Sequence, residues 1–381
     1  PVMADWKVKG LTPQALLLLV SKADIIDPNG TLDIAKLMEE GHTALLDGKQ
    51  LATYTNDVNG DGNPELIALN PDYSVTVYRM TADSNVRMAV DNDTAAACET
   101  IFGNKYKDTD VNASVACFSE AYRLLPNDET RSALTAAYQL RSASYENAGD
   151  MEAAIADARS AMESAGTADA FTFFYDVNLR NCKNGHDAAT AIAMWDEFAD
   201  NSVTELTRFS AKNRWQTDAA QLHIARAAEL AAKKDEGCIT ELRTAAEMGA
   251  DVTSAVAEAE SHFEPGLSLA RLRLMEIDLL GTDAAKEQEI RSNMAGEVRT
   301  AITDWKSRGI TPADVPALIH LADDQGIDLS GINRDAIYED AAVASAGNVA
   351  QYTFVDWNAD GYKELLTLDA SGNLSLYGTN E

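Results

Sequence analysis

The chain is short of the residues that announce most metal, redox and nucleic-acid chemistry. Among 381 residues there are 4 cysteines, 5 histidines and 9 prolines, and 31 lysines and arginines face 61 acids. Cys98, Cys117, Cys182 and Cys238 form no CxxC pair, which disfavours a zinc knuckle. All four fall in helix-like sequence and read as buried thiols, ahead of a Cys98–Cys117 disulfide. The net charge is −30, split as −7, −15 and −8 over residues 1–94, 95–304 and 305–381. No basic stripe offsets it, so nucleic acid and anionic membrane surfaces are poor partners. Long apolar runs are missing too. Ala15 to Val20 is six residues, against about 20 for a membrane span. It lacks the basic approach and small-residue cleavage site of a signal peptide. Thr12-Pro13 before it reads as a helix start, with threonine as cap. The first residue is Pro1, which reads as a processed or trimmed chain with its targeting signal out of view.

What the chain does have is an internal repeat. Residues 6–13 (WKVKGLTP) match 305–312 (WKSRGITP), and 57–66 (DVNGDGNPEL) match 356–365 (DWNADGYKEL), both at an offset of 299. One offset shared by two separated blocks marks a duplicated unit of about 75 residues, with 305–381 repeating 6–78. Each copy reads helix-helix followed by three short antiparallel strands. The strands are expected at 51–56, 65–70 and 74–80, and again at 349–355, 364–368 and 373–377. Asp369 to Asn373 reads as a hairpin turn.

The segment 95–304 differs in kind. It is alanine-rich with apolar residues at three- and four-residue steps, broken at Gly149-Asp150, Gly166-Thr167, Asn184-Gly185 and Gly281-Thr282. Phe118, Ala121 and Pro126, then Tyr145, Gly149, Ala154, Ala158 and Ala161, carry spacings that resemble the tetratricopeptide repeat over about 110–165. The resemblance implies a helical solenoid (TPR-like) with a surface for protein or peptide partners. The expected fold is mainly α. The solenoid lies between two small α+β units, 1–94 and 305–381, packed on each other so that their sheet edges are hidden.

One constellation carries chemistry. Asp57, Asn59 and Asp61 alternate along a tight loop, Gly62 allows a sharp turn, and Glu65 opens the next strand. With the Asn63 carbonyl these supply only oxygen, the donor set of a hard cation. Asp356, Asn358, Asp360, the Tyr362 carbonyl and Glu364 repeat the set. The segments resemble the calcium loops of FG-GAP and VCBS-type repeats, which implies two structural calcium sites. Those families place Asp where this chain has Glu65 and Glu364, and two copies are too few for a propeller. An EF-hand would want glutamate where Ala68 and Thr367 stand. Magnesium and zinc suit the set less well, the second for want of His or Cys. At millimolar calcium and a Kd of about 10⁻⁴ M, each site would stabilise the fold by roughly 1.4 kcal/mol. Sites this weak fill outside the cytosol, which points to an extracellular or envelope location.

HExxH, GxSxG, GxGxxG and the Walker loop are all missing. The five histidines read as surface or cap residues, and Glu39-Glu40 and Asp323-Asp324 as solvated helix faces. Trp6 and Trp305 read as core, Trp195, Trp215 and Phe171–Tyr175 as helix packing, and Trp357 as exposed in its loop. The expected function is a non-catalytic, calcium-stabilised binding scaffold, with cell-wall polysaccharide as a further partner class. Its alternatives are an envelope hydrolase or carbohydrate-active protein with structural calcium, and a calcium-dependent adhesin or sensor. Nothing in the sequence sets the oligomeric state.

Overall fold

The structure is a computed structural model that describes residues 3, 5–27, 30–279, 283–359 and 363–378. It is mainly helical, with a small antiparallel sheet toward each end. By packing, the chain divides into two compact units, Pro1–Asn181 and Cys182–Glu381.

The first unit opens with α1 (Pro13–Val20), where Thr12 Oγ1 accepts the Ala15 N–H at 3.2 Å, as the Thr-Pro start requires. A single turn, α2 (Ala23–Ile26), and α3 (Ile34–Ala44) follow. Strands β1 (Ala52–Asn56), β2 (Glu65–Leu69), β3 (Val75–Met80) and β4 (Asn85–Met88) form an antiparallel sheet in chain order. The fourth strand was not foreseen. Asn-Val-Arg-Met alternates in polarity but is only four residues long, too short a run to stand out; it pairs with β3, and Asn85 fixes its place. That side chain donates to the His42 carbonyl at 2.8 Å and accepts from His42 Nδ1 at 2.7 Å.

Helix α4 (Asn92–Tyr106) lies on this sheet: Cys98 and Phe102 pack against Ile67, Leu69 and Val77. Then come α5 (Val111–Leu124), α6 (Asp128–Ala148), α7 (Met151–Ala165) and α8 (Ala168–Lys183). Asn127 and Thr130 cap α6 reciprocally, and Gly149 ends it at φ 81°, a left-handed value that glycine takes without a Cβ clash. Ala154, Ala158 and Ala161 of α7 are fully buried, so the small stripe lets α6 and α7 approach closely. Across that seam Arg141 grips the buried Asp157 with two bonds, 2.6 and 2.8 Å. Gly166-Thr167 separates α7 from α8, whereas Gly281-Thr282 lies outside the described residues.

The second unit runs through α9 (Ala188–Asn201), α10 (Val203–Arg208), α11 (Lys212–Ala232), α12 (Gly237–Glu247), α13 (Thr253–Glu260), α14 (Leu267–Leu279) and α15 (Ala284–Thr303). It closes with α16 (Asp314–Asp324), α17 (Arg334–Ala346) and an antiparallel sheet of β5 (Val349–Val355), β6 (Glu364–Asp369) and β7 (Leu374–Tyr377). Thr311 is the repeat counterpart of the Thr12 cap, but α16 starts two residues later than that counterpart would place it, and the Thr311 hydroxyl donates to Asp314 Oδ2 at 2.7 Å instead of capping.

The offset of 299 persists in the backbone. Leu11 N–H bonds the Trp6 carbonyl and Ile310 N–H the Trp305 carbonyl, both at 3.0 Å, and Gly10 and Gly309 have φ of 71° and 70°. Both tryptophans are buried, and a lysine ammonium sits 5.3 Å over each ring. The Trp6 indole also donates to Glu40 Oε2 at 3.0 Å, so Glu40 is more than a solvated acid. In the sheets, Asn56 pairs with Glu65 and Leu66 with Tyr78; Val355 pairs with Glu364 and Leu365 with Tyr377.

Candidate metal centre

Each acidic loop closes a hairpin, so the last residue of one strand and the glutamate that opens the next stand opposite each other. This pairing pulls Glu65 under the loop, where it is 1% exposed. Its Oε2 accepts the Val58 N–H at 3.1 Å and its Oε1 the Asn59 amide at 2.9 Å. Asp57 folds the chain over itself, accepting from Gly60 N–H at 2.8 Å on one oxygen and from Gly62 N–H at 2.9 Å on the other. Gly60 and Gly62 reach those bonds at φ of 74° and 86°. Asp61 accepts from the Asn63 backbone at 2.8 Å and its side-chain amide at 3.0 Å, and these bonds hold its carboxyl below the ordinary value.

The first loop therefore brings Asp57, Asn59, Asp61, Asn63 and Glu65 into one hydrogen-bonded turn. The Asn59 Nδ2 stands between two acids, 3.1 Å from Asp61 Oδ2 and 2.9 Å from Glu65 Oε1. A donor amide thus occupies the place where the acids would otherwise repel each other. The all-oxygen side chains suit a hard cation chemically, and a cation there would require this amide to turn away. Among the described residues, no group of three or more His, Cys, Asp or Glu is gathered closely enough to hold a metal.

In the second loop Glu364, also buried, accepts the Trp357 N–H at 2.7 Å on Oε2, the counterpart of the Val58 bond. Ala359 takes the place of Gly60 and has φ of 60°. An L-residue held there costs about 1–2 kcal/mol, so the loop's contacts impose the conformation. Asp356 and Asn358 are in the same loop, while Asp360 and Tyr362 lie outside the described residues.

Two buried groups escaped the sequence reading. His42, expected at the surface, is fully buried beneath β4, and burial lowers its pKa. Glu99 is fully buried between the N-terminal sheet and α5, and neither carboxylate oxygen has a hydrogen-bond partner. Burial, helped by the like charge of Glu120, pushes its pKa up to about 8. A signal existed, since Glu99 lies on the stripe of Ala96 and Phe102, three residues from each. All four cysteines are free and buried, and Cys117, near Glu99, is pushed up to about 12 chiefly by burial.

No helix among the described residues is long and apolar enough to cross a membrane. Compared with known proteins, the chain matches no family profile and no curated sequence.

Proposed function

We propose that the protein is a non-catalytic binding scaffold whose two end hairpins are ordered by calcium. The observation that supports this reading most is the repeated loop. At an offset of 299, a buried glutamate accepts a backbone N–H seven residues before it, under a turn lined by oxygen donors. In the calcium form the ion takes the bridging place of the Asn59 amide. Asp57, Asn59, Asp61, the Asn63 carbonyl and Glu65 hold it, as Asp356, Asn358, Asp360, the Tyr362 carbonyl and Glu364 do in the second loop. The ion screens the acids, which Asn59 does only in part. Weak structural sites of this kind serve where calcium is millimolar, outside the cell or in its envelope.

In the same proposal, helices α4–α15 stack as a TPR-like solenoid and offer protein or peptide partners a surface. Titration calorimetry of calcium into the full chain tests the metal assignment. Two binding events are expected, with Asp61→Asn removing one and Asp360→Asn the other. One event, none, or two that survive both substitutions rejects it.

A further inference from the structure

Strands β5–β7 repeat β1–β3 in order and register, but the two sheets are not covered alike. One face of each is closed by its own unit: α3 packs on β2, α17 packs on β6, and Leu66 and Leu365 are buried there. The opposite face of the N-terminal sheet, with Ile67, Leu69 and Val77, is closed by Cys98 and Phe102 of α4. In the C-terminal sheet the same register puts Leu366 beside Leu376 and Leu368 beside Leu374, as Ile67 stands beside Val77 and Leu69 beside Val75. There Leu374 is 68% exposed and Leu376 45%. Trp357, in the place of a Val58 that packs into the covered cluster, is 66% exposed.

We propose that this bare leucine face, with Trp357 at its rim, is the docking site for an amphipathic helix of a basic partner protein, seated as α4 sits on the N-terminal sheet. Three observations select that occupant. The first copy shows what fits: α4 presents one apolar stripe, Cys98, Phe102 and Tyr106, at steps of four residues. Leu374 and Leu376 lie exposed beside the half-buried Leu366 and Leu368, with only Gln351 and Thr353 of β5 completing the face; such exposed apolar surface marks an interaction site, and the exposed Trp357 is of the residue type enriched at binding hot spots. Residues 305–381 carry −8, so lysine and arginine beside the stripe complement the surface, whereas a second copy of the chain brings its own −30. The proposal stands on strand register and exposure and does not depend on the calcium reading.

The test uses the full chain and a synthetic peptide copying residues 91–107, with Cys98→Leu and lysine at its solvent-facing positions. Binding is followed by anisotropy of a fluorescein on the peptide. Saturable binding is expected, weakened about 30-fold by Trp357→Ala and abolished by Leu376→Asp. The same peptide with glutamate for lysine should bind at least tenfold more weakly. If Leu376→Asp does not fold, as judged by circular dichroism, Trp357→Ala in the exposed loop carries the test. The assignment is overturned by a lysine peptide that fails to bind, or by equal binding of the glutamate peptide or of the Trp357→Ala chain. Dimerisation of the free chain that Leu376→Asp abolishes would replace the partner with a second copy. Protection of Trp357 from hydroxyl-radical labelling in the free chain would mean that the chain covers the face itself.

Discussion

Replacing Glu99 by glutamine should stabilise the first unit, and by an amount that depends on pH. Glu99 is fully buried, its oxygens lack partners, and its pKa is raised from 4.5 to about 8. The groups that face it are Glu120 and Cys117 of α5, Asp72 before β3 and the β3 backbone at Val75; no cation is among them. Between pH 4.5 and about 8 the unfolded chain has released this proton and the folded chain holds it. The folded state binds more protons, so stability falls as pH rises through that window and levels off above it. At about 1.4 kcal/mol per pH unit, holding the proton at pH 7 costs roughly 3 kcal/mol. Glutamine keeps the shape of the neutral acid without that cost. Glu99→Gln should therefore gain about 2–3 kcal/mol at pH 7 and almost nothing at pH 4. Hydrogen exchange of the α4 and β3 amides reads this unit directly, with urea melts as a second measure. A stability difference that stays the same from pH 4 to pH 8, or a destabilised variant at pH 7, refutes the reasoning.

His42 should act in the opposite sense. Burial lowers its pKa below 6.5, so its stabilising contribution is complete above 6.5 and is lost as pH falls toward the folded value. Lower protection of the α3 and β4 amides below pH 6.5, with exchange rates divided by their intrinsic values at each pH, is the expected result, and it should be absent in His42→Gln. Gly103→Ala should cost about 1–3 kcal/mol in urea melts, because a Cβ there comes within 2.8 Å of the Phe118 ring, which is itself held by α5 and α6.

How much of this was legible from sequence follows from how local each signal is. The Thr12 cap, the Gly149 break, the alanine stripe of α7 and the strand limits around both loops depend on neighbouring residues, and periodicity found them. The donor residues of the first loop are likewise contiguous, and the structure folds them into one turn. Strand β4, by contrast, is a four-residue hairpin arm on β3, anchored where Asn85 meets His42 across 43 residues, a contact that no local pattern records. The boundary drawn at residue 94 assigned α4 to the helical middle, since its alanines look like those that follow. It packs both on α5, the helix after it, and on the sheet before it. The burial of Glu99 follows from that placement, as does the contrast between the covered N-terminal sheet and the bare C-terminal one. Thr311 shows the same limit on a small scale: an acid three residues on took the hydroxyl that sequence assigned to a cap.

Calcium stabilisation of the two hairpins is the central claim, and thermal melting tests it most directly. The full chain should melt at a higher temperature in millimolar calcium than in excess chelator. Asp61→Asn and Asp360→Asn should each remove part of the difference, and the double substitution all of it. With Kd near 10⁻⁴ M, the two sites together add roughly 3 kcal/mol, enough to move the midpoint by several degrees. Identical midpoints in calcium and in chelator would contradict the account.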